Sequence, residues 1–407
     1  NDIDVQGKSV PELSALLKGQ ARTGVKIQIR RFAESELLTY EFEREKITLS
    51  NVPYYGIVEE SVGYIKLEDF TPGAGKEVAT ALKELKSNGA ESVILDLRSN
   101  PGGLLSEAVN VSNVFISKNK EVVSTKGKVT DWNKSYKTLN NPVDTQIPLV
   151  VLINGGSASA SEIVSGVVQD YDRGLLVGSK TFGKGLVQTT RPLTYNSQLK
   201  VTTAKYYIPS GRCIQALDYT NRNDDGSVDK FADSLKVEFK TKKGRLVYEG
   251  EGLDPDKSVK REFLSPISVS LVTKGLVFDF ATEFYYKNKE RIQSPEFRLS
   301  DSDFQTFKLW LKDKDYDYTT SVEKTLEQLE ESAKEEKYFN DIDEQLKALK
   351  RQVLHNKEQD LISFKAEITQ LLREEIVSRE FLSAGSIRAS LDSDQDIKAS
   401  VRVLKNR

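Results

Sequence analysis

Between residues 48 and 218 two kinds of hydrophobic pattern take turns along the chain. Short apolar runs (VGYIKL, SVILDLR, IPLVVLI) are separated by stretches in which apolar residues recur at three and four (KEVATALKELK, LLSEAVNVSNVF, and IVSGVVQDY after a serine cluster). The first kind predicts strands and the second amphipathic helices, and their alternation predicts an α/β core. Residues 1–47 hold one helical pattern, VPELSALLKG, and two alternating runs, VKIQIRRF and LLTYEFERE, which predict a small α+β unit entered part-way. Residues 219–262 turn polar and turn-rich (NRNDDGS, KKGR, EGEGLDP), as expected of surface loops around a strand or two that finish the core. From 263 to 407 the pattern is mainly helical: Val322, Leu326, Leu329 and Ala333, then Ile342, Leu346, Leu349 and Val353, repeat at three and four amid dense Glu and Lys. Three domains are therefore expected, at 1–47, 48–262 and 263–407.

Bulk composition narrows the partners more than the fold. At 407 residues the chain exceeds one ordinary core, so it needs no staples. Its 59 basic and 61 acidic side chains are intermixed, with a formal charge of -2, so no field along the sequence attracts nucleic acid or an anionic membrane. The single cysteine, Cys213, can form no internal disulfide and is expected as a buried thiol. The longest apolar run, IPLVVLI, is far short of the roughly 18 residues needed to span a bilayer. The chain opens on NDIDVQGKSV without an initiator methionine or a signal peptide, and reads as a processed or truncated piece. Methionine is absent throughout, for which there is no physical account.

The candidate chemistry sits in NGGSASASE, residues 154–162. A hydrolase serine usually needs an imidazole base, yet the only histidine, His355, lies in the charged helical run LKRQVLHNKEQ and is expected at a helix surface. Ser-His-Asp triads and histidine-rich zinc sites are thereby excluded. A lysine can replace the imidazole when a dry site favours its neutral amine. Lys184, in GSKTFGKGLVQTT, is flanked by Gly183 and Gly185 and preceded by Phe182. Gly178, Gly183 and Lys184 also mimic a phosphate loop, but Gly185 replaces the magnesium-binding Ser or Thr and a strand follows where a helix should, which argues against nucleotide binding. Ser159 and Glu162 form the S-x-x-E capping box ahead of a helix, and backbone N–H groups at a helix start also suit an oxyanion. A further donor is expected from DLRSNPGGLL, residues 96–105, where Gly102 and Gly103 open a helix after a strand.

These motifs together (NGGSASASE, TFGKGLVQ, DLRSNPGG upstream and GEGLDPD downstream) resemble those of the carboxyl-terminal processing, or tail-specific, proteases over roughly residues 48 to 260. The resemblance implies a Ser/Lys dyad 25 positions apart, which selects Ser159 and Lys184, with Gln188 orienting the lysine. It implies an oxyanion hole from the N–H of Ala160 and of Gly102 or Gly103. Ser157, Ser161 and Glu162 are then structural, with a second role open for Glu162; Asp96 and Arg98 match recurrent positions but are equally accounted for as an ion pair fixing a strand end. The implied fold is a ClpP/crotonase-like spiral of ββα units. Residues 1–47 would be the latter part of a PDZ domain whose N-terminal half is missing, and the helical extension is similar to that of Bacteroidetes members. The implied activity is endopeptidase cleavage, through an acyl-enzyme, of C-terminal regions of exported or misfolded proteins, in the periplasm or cell envelope of a Gram-negative bacterium. No metal or cofactor is implied. The partners are protein or peptide substrates with accessible C-terminal segments, and a homo-oligomer or an activating adaptor stays open. Two rivals remain: a crotonase-like acyl-CoA enzyme, marked by acyl-CoA binding, and a non-catalytic PDZ-type peptide-binding scaffold, marked by failure of a serine-reactive probe.

Overall fold

The computed structural model describes residues 3–32, 34–217, 237–353 and 357–406; His355 and the first part of the polar stretch, 218–236, lie outside the described residues. The chain divides into two compact units, one of Asn1–Leu49 with Leu264–Ser386, the other of Ser50–Phe263 with Ile387–Arg407. The mixed α/β class with a helical C-terminal region follows the expectation from periodicity. The first 47 residues contribute α1 (Val10–Leu17) and an antiparallel hairpin of β1 (Gly24–Ile29) and β2 (Leu38–Glu43).

The second unit is built on strands β3 (Tyr54–Glu59), β4 (Val62–Lys66), β5 (Ser92–Asp96), β6 (Glu121–Lys126), β7 (Lys134–Lys137), β8 (Leu149–Ile153), β9 (Leu175–Gly178), β10 (Leu186–Pro192), β11 (Gln198–Tyr207), β12 (Glu238–Lys240), β13 (Leu246–Tyr248) and β14 (Lys257–Ser258). Helices α2 (Ala74–Ser87), α3 (Leu105–Phe115) and α4 (Ala160–Asp170) follow β4, β5 and β8. The main sheet has the order β14-β9-β8-β5-β4-β3, with β4, β5, β8, β9 and β14 running parallel and β3 antiparallel at one edge. Leu95, Val151 and Ile153 on one face pack with Leu82, Val111, Ile163 and Val167 of the three helices. Ile94, Val150 and Leu152 on the other face pack with Ile397, Val401 and Leu404 of the C-terminal helix. Both faces are buried, which is why SVILD and PLVVLI read as unbroken apolar runs instead of alternating. A second sheet, β10-β11-β6-β7, is antiparallel.

The helical part comprises α5 (Pro266–Thr273), α6 (Leu276–Asn288), α7 (Asp301–Trp310), α8 (Ser321–Glu335), α9 (Phe339–Val353), α10 (Lys357–Ser363), α11 (Lys365–Leu391) and α12 (Gln395–Lys405). Its core is aromatic: Phe280, Phe284, Phe304 and Phe307 pack with Ile368, Leu372 and Ile376. Leu326, Ala333 and Leu346 of the α8 and α9 apolar repeats are buried, whereas Val322, Leu329 and Leu349 are half exposed. A two-helix hairpin covers only the centre of each apolar stripe. Among the described residues no helix is long and apolar enough to cross a membrane.

Asp303, in the first turn of α7, accepts from both terminal nitrogens of Arg291 at 3.0 and 2.8 Å. Arg291, helped by Ser300 against burial, holds its carboxyl at about 2. A depressed folded value means that its stabilisation is present above the unfolded value of about 3.9 and is lost as the pH falls toward 2. Melting curves of wild type and Asp303→Asn should therefore differ at neutral pH and converge in acid.

Candidate active site

Neighbouring parallel strands β5, β8 and β9 end at Asp96, Ile153 and Gly178, and the loops that follow carry DLRSNPGG, NGGSASASE and TFGKG. In open α/β sheets the carboxyl ends of the strands are where ligand sites form. The three motifs, up to 88 residues apart in sequence when counted from Asp96 to Lys184, meet there because the strands that deliver them are adjacent.

The serine cluster resolves by hydrogen bonding. Ser157 Oγ donates to the Leu97 carbonyl at 2.8 Å and accepts from Asn154 N–H at 3.0 Å. Ser161 Oγ donates to the Asn100 carbonyl at 2.9 Å. Both are buried. Ser159, partly exposed between them, starts α4 with φ 55° and ψ -113°, a conformation that L-residues avoid. Such strain persists only when its surroundings impose it. Here Ser159 N–H is held by Glu162 Oε2 at 2.9 Å, and Ala158 N–H by the Asn100 carbonyl at 3.0 Å.

The glycine turn presses directly on this strained serine. A Cβ on Gly102 would lie 2.7 Å from the Ala158 carbonyl oxygen, 2.8 Å from Ala160 N and 2.8 Å from Ser159 Cβ, and its φ is +97°. Only glycine allows that approach. Gly102 N–H is committed to Asn100 Oδ1 at 2.8 Å, so of the two glycines it is Gly103 whose N–H has no protein acceptor among the described residues. Ala160 N–H, at the first position of α4, is likewise without one. Gly102→Ala should displace the serine turn and lower kcat by about 100-fold. Steady-state kinetics alongside melting curves would separate this from unfolding.

Lys184 follows β9 in a loop whose backbone is fixed at several points. Glu162 is fully buried and accepts from Thr181 Oγ1 (2.6 Å) and Gly183 N–H (2.7 Å) on one oxygen, and from Lys184 N–H (2.9 Å) on the other. That second oxygen is the one that takes Ser159 N–H, so a single carboxylate atom joins the backbones of the serine and the lysine. Burial pushes the Glu162 pKa upward, and its four donors oppose the shift. Gly183 and Gly185 leave room for Ala216 and Gln215, where added Cβ atoms would meet the Ala216 Cβ at 2.3 Å and Gln215 N at 2.7 Å.

The Tyr206 phenol, buried on β11, donates to the Lys184 carbonyl, and Tyr206 N–H donates to the Gly185 carbonyl at 3.0 Å. Burial raises the Tyr206 pKa well above the usual value, and the Ser159 side chain partly opposes this. Among the described residues no hydrogen bond joins Ser159 Oγ to Lys184 Nζ, and Gln188, exposed on β10 beside a β-bulge, makes none to Lys184. Tyr206 and the bridging role of Glu162 escaped the sequence reading. KYYIPSGR looks like any aromatic strand, and S-x-x-E looks like any cap.

Residues 61–220 match the model of peptidase family S41, and residues 267–404 match a model described as "Probable PDZ-protease, C-terminal helical domain". The chain is 38% identical over 220 residues to the carboxy-terminal-processing protease of Bartonella bacilliformis, and 39% identical over 218 residues to the carboxyl-terminal-processing protease of a Synechocystis species. Each alignment covers 53% of this chain and 50% of the relative, so the chain spans about half the length of the curated relatives it matches. Among solved structures it is similar to the photosystem II D1 C-terminal processing protease, at 28% identity over 65% of this chain and 62% of that one, with a TM-score of 0.40. The S41 match runs across both the serine turn and the lysine loop, so residues 61–220 match peptidase family S41, and over about half of its length the chain is similar to carboxyl-terminal processing proteases.

Proposed function

We propose that this chain is a serine endopeptidase that uses Ser159 as nucleophile and Lys184 as general base, cleaving peptide bonds in C-terminal regions of exported or misfolded proteins. One observation carries the reading: Ser157 and Ser161 spend their hydroxyls on backbone carbonyls, while Ser159 sits in a strained turn tied through one Glu162 oxygen to the lysine. In the reaction, Lys184 Nζ removes the Ser159 Oγ proton as the oxygen attacks the peptide carbonyl, and the N–H groups of Ala160 and Gly103 hold the oxyanion. The tetrahedral intermediate expels the amine, which takes the proton from Lys184. Lys184 Nζ, neutral again, then takes a proton from the water that attacks the acyl-enzyme, and returns it to Ser159 Oγ as the acyl group leaves. Catalytic hydrogen bonds are often long before substrate binds, so the dyad can close on the complex. Gln188 would steady the lysine at that stage.

The reading also takes α1 with the β1 and β2 hairpin as part of a PDZ domain, and the protein as envelope-associated, which fractionation of the native cells would check. The direct test is labelling with a fluorophosphonate probe, mapped by mass spectrometry, beside cleavage of casein from about pH 6 to about pH 10. Modification at Ser159 and a cleavage rate that rises with loss of one proton are expected. Labelling at another serine, or none together with no cleavage, would reject the assignment in favour of a different nucleophile or a peptide-binding scaffold.

A further inference from the structure

The C-terminal helix α12 lies on the second face of the core sheet, and one arginine connects it to the glycine turn. Arg98 grips the buried carboxylate of Asp96 through Nε, at 3.0 and 3.1 Å, and through one terminal nitrogen at 2.6 Å. Its other terminal nitrogen reaches Asp394 and Asp396, each at 2.8 Å. The Arg98 backbone is held on both sides as well: its N–H donates to Asp96 Oδ1 at 2.8 Å, and its carbonyl accepts from Lys66 Nζ at 2.8 Å. Asp394 meanwhile uses Oδ1 to cap α12, accepting from Asp396 N–H at 2.8 Å and Ile397 N–H at 3.1 Å.

Asp96 alone would neutralise Arg98, and Tyr64 and Lys66 already complete its shell. Two more carboxylates, the second 298 residues further along the chain, exceed what a strand-end ion pair requires. What lies beyond Arg98 gives them a purpose. Ser99, with φ 60°, donates its N–H to Asn154 Oδ1 at 2.8 Å. Asn100 then accepts from Ala158 N–H and the Ser161 hydroxyl on its carbonyl, and from Gly102 N–H on its side chain. The chain of bonds from α12 to the serine turn is unbroken.

We propose that Asp394 and Asp396 are positioning residues for the peptidase reaction: by holding Arg98 they fix the Ser99 to Gly103 turn, and with it the Gly103 N–H aimed at the oxyanion. The C-terminal helix is then a working part of the active site as well as cover for the sheet. This rests on the assignment of Ser159 and Gly103 above.

The test uses the full chain carrying Asp394→Ser and Asp396→Asn. Serine keeps the helix cap, asparagine keeps the size, and the apolar face of α12 is untouched. The expected result is a fall in kcat of about 10- to 100-fold with KM changed by less than about twofold. Faster amide exchange over residues 99–104 and recovery of activity in Asp396→Glu with Asp394 intact should accompany it. A purely structural role would lower Tm and leave kcat of the folded protein unchanged, and that outcome overturns the proposal. Should the double variant fail to fold, Asp396→Asn alone is read in the same way, and wild-type kcat again overturns it. Ser159→Ala is measured in parallel. If it still cleaves, the underlying site assignment has failed; if it is inactive beside a fully active Asp394 and Asp396 variant, only the positioning role is rejected.

Discussion

Lys184→Ala is expected to lower kcat/KM for cleavage of an unfolded protein by at least about 1000-fold, with Tm within a few degrees of wild type. The two expectations have one structural source. The loop around Lys184 is anchored through its backbone, by Glu162 Oε2 on the N–H and by Tyr206 on the carbonyl, and not through the amine. The side chain is only partly buried, so its removal leaves no cavity in the core. On the proposed mechanism, what is lost is the proton acceptor for Ser159 Oγ. Lys184→Arg sharpens the test, because a guanidinium keeps the positive charge and cannot give up a proton to become a base. Equal inactivity of the alanine and arginine variants, with fluorophosphonate labelling slowed in both, supports the dyad. An arginine variant that cleaves at the wild-type rate would show that Lys184 contributes charge, and that the base is another group.

Glu162→Ala should be damaging in a different way, lowering both stability and turnover. Its carboxylate is fully buried and takes four donors, from Thr181, Gly183, Lys184 and Ser159. A buried donor left without an acceptor costs about 1 to 3 kcal/mol, and partial relaxation keeps four of them from adding fully, so a loss of about 4 kcal/mol is expected. Glu162→Gln is the informative variant: one oxygen remains, while the amide NH2 faces two donors. Its kcat should fall about 100-fold even at temperatures where it is folded, since the amide NH2 must face either the Ser159 and Lys184 N–H pair or the Thr181 and Gly183 pair, and so pushes one side of the bridge away. Chemical denaturation and kinetics on the same samples would check this. A glutamine variant with reduced stability and wild-type kcat would reduce Glu162 to a helix cap.

Much of this protein is written locally. The three-and-four spacing of KEVATALKELK and the apolar runs of SVILD and LVVLI determine helices and strands, because whether a segment carries one apolar stripe or two apolar faces is set by residues a few positions apart. The motifs around Ser159 and Lys184, and the family they point to, were likewise legible, since short-range turn chemistry leaves a dense residue signature. The resemblance singled out the middle of the three serines, and in the structure the outer two donate their hydroxyls to backbone carbonyls.

Other features depended on which loops meet. Gly102 and Gly103 are indistinguishable in sequence; the fold commits the Gly102 N–H to Asn100 and leaves that of Gly103 without a protein acceptor among the described residues. Glu162 reads as a cap, and becomes a bridge only because adjacent parallel strands bring the TFGKG loop to its carboxylate. Tyr206 reaches the site across a different sheet. Residues 387–407, helical like the stretch before them, belong with the core because Ile397, Val401 and Leu404 cover its sheet. Periodicity reports that a face is apolar, but the partner that buries it, and the hydrogen bonds made along the way, are set by long-range packing.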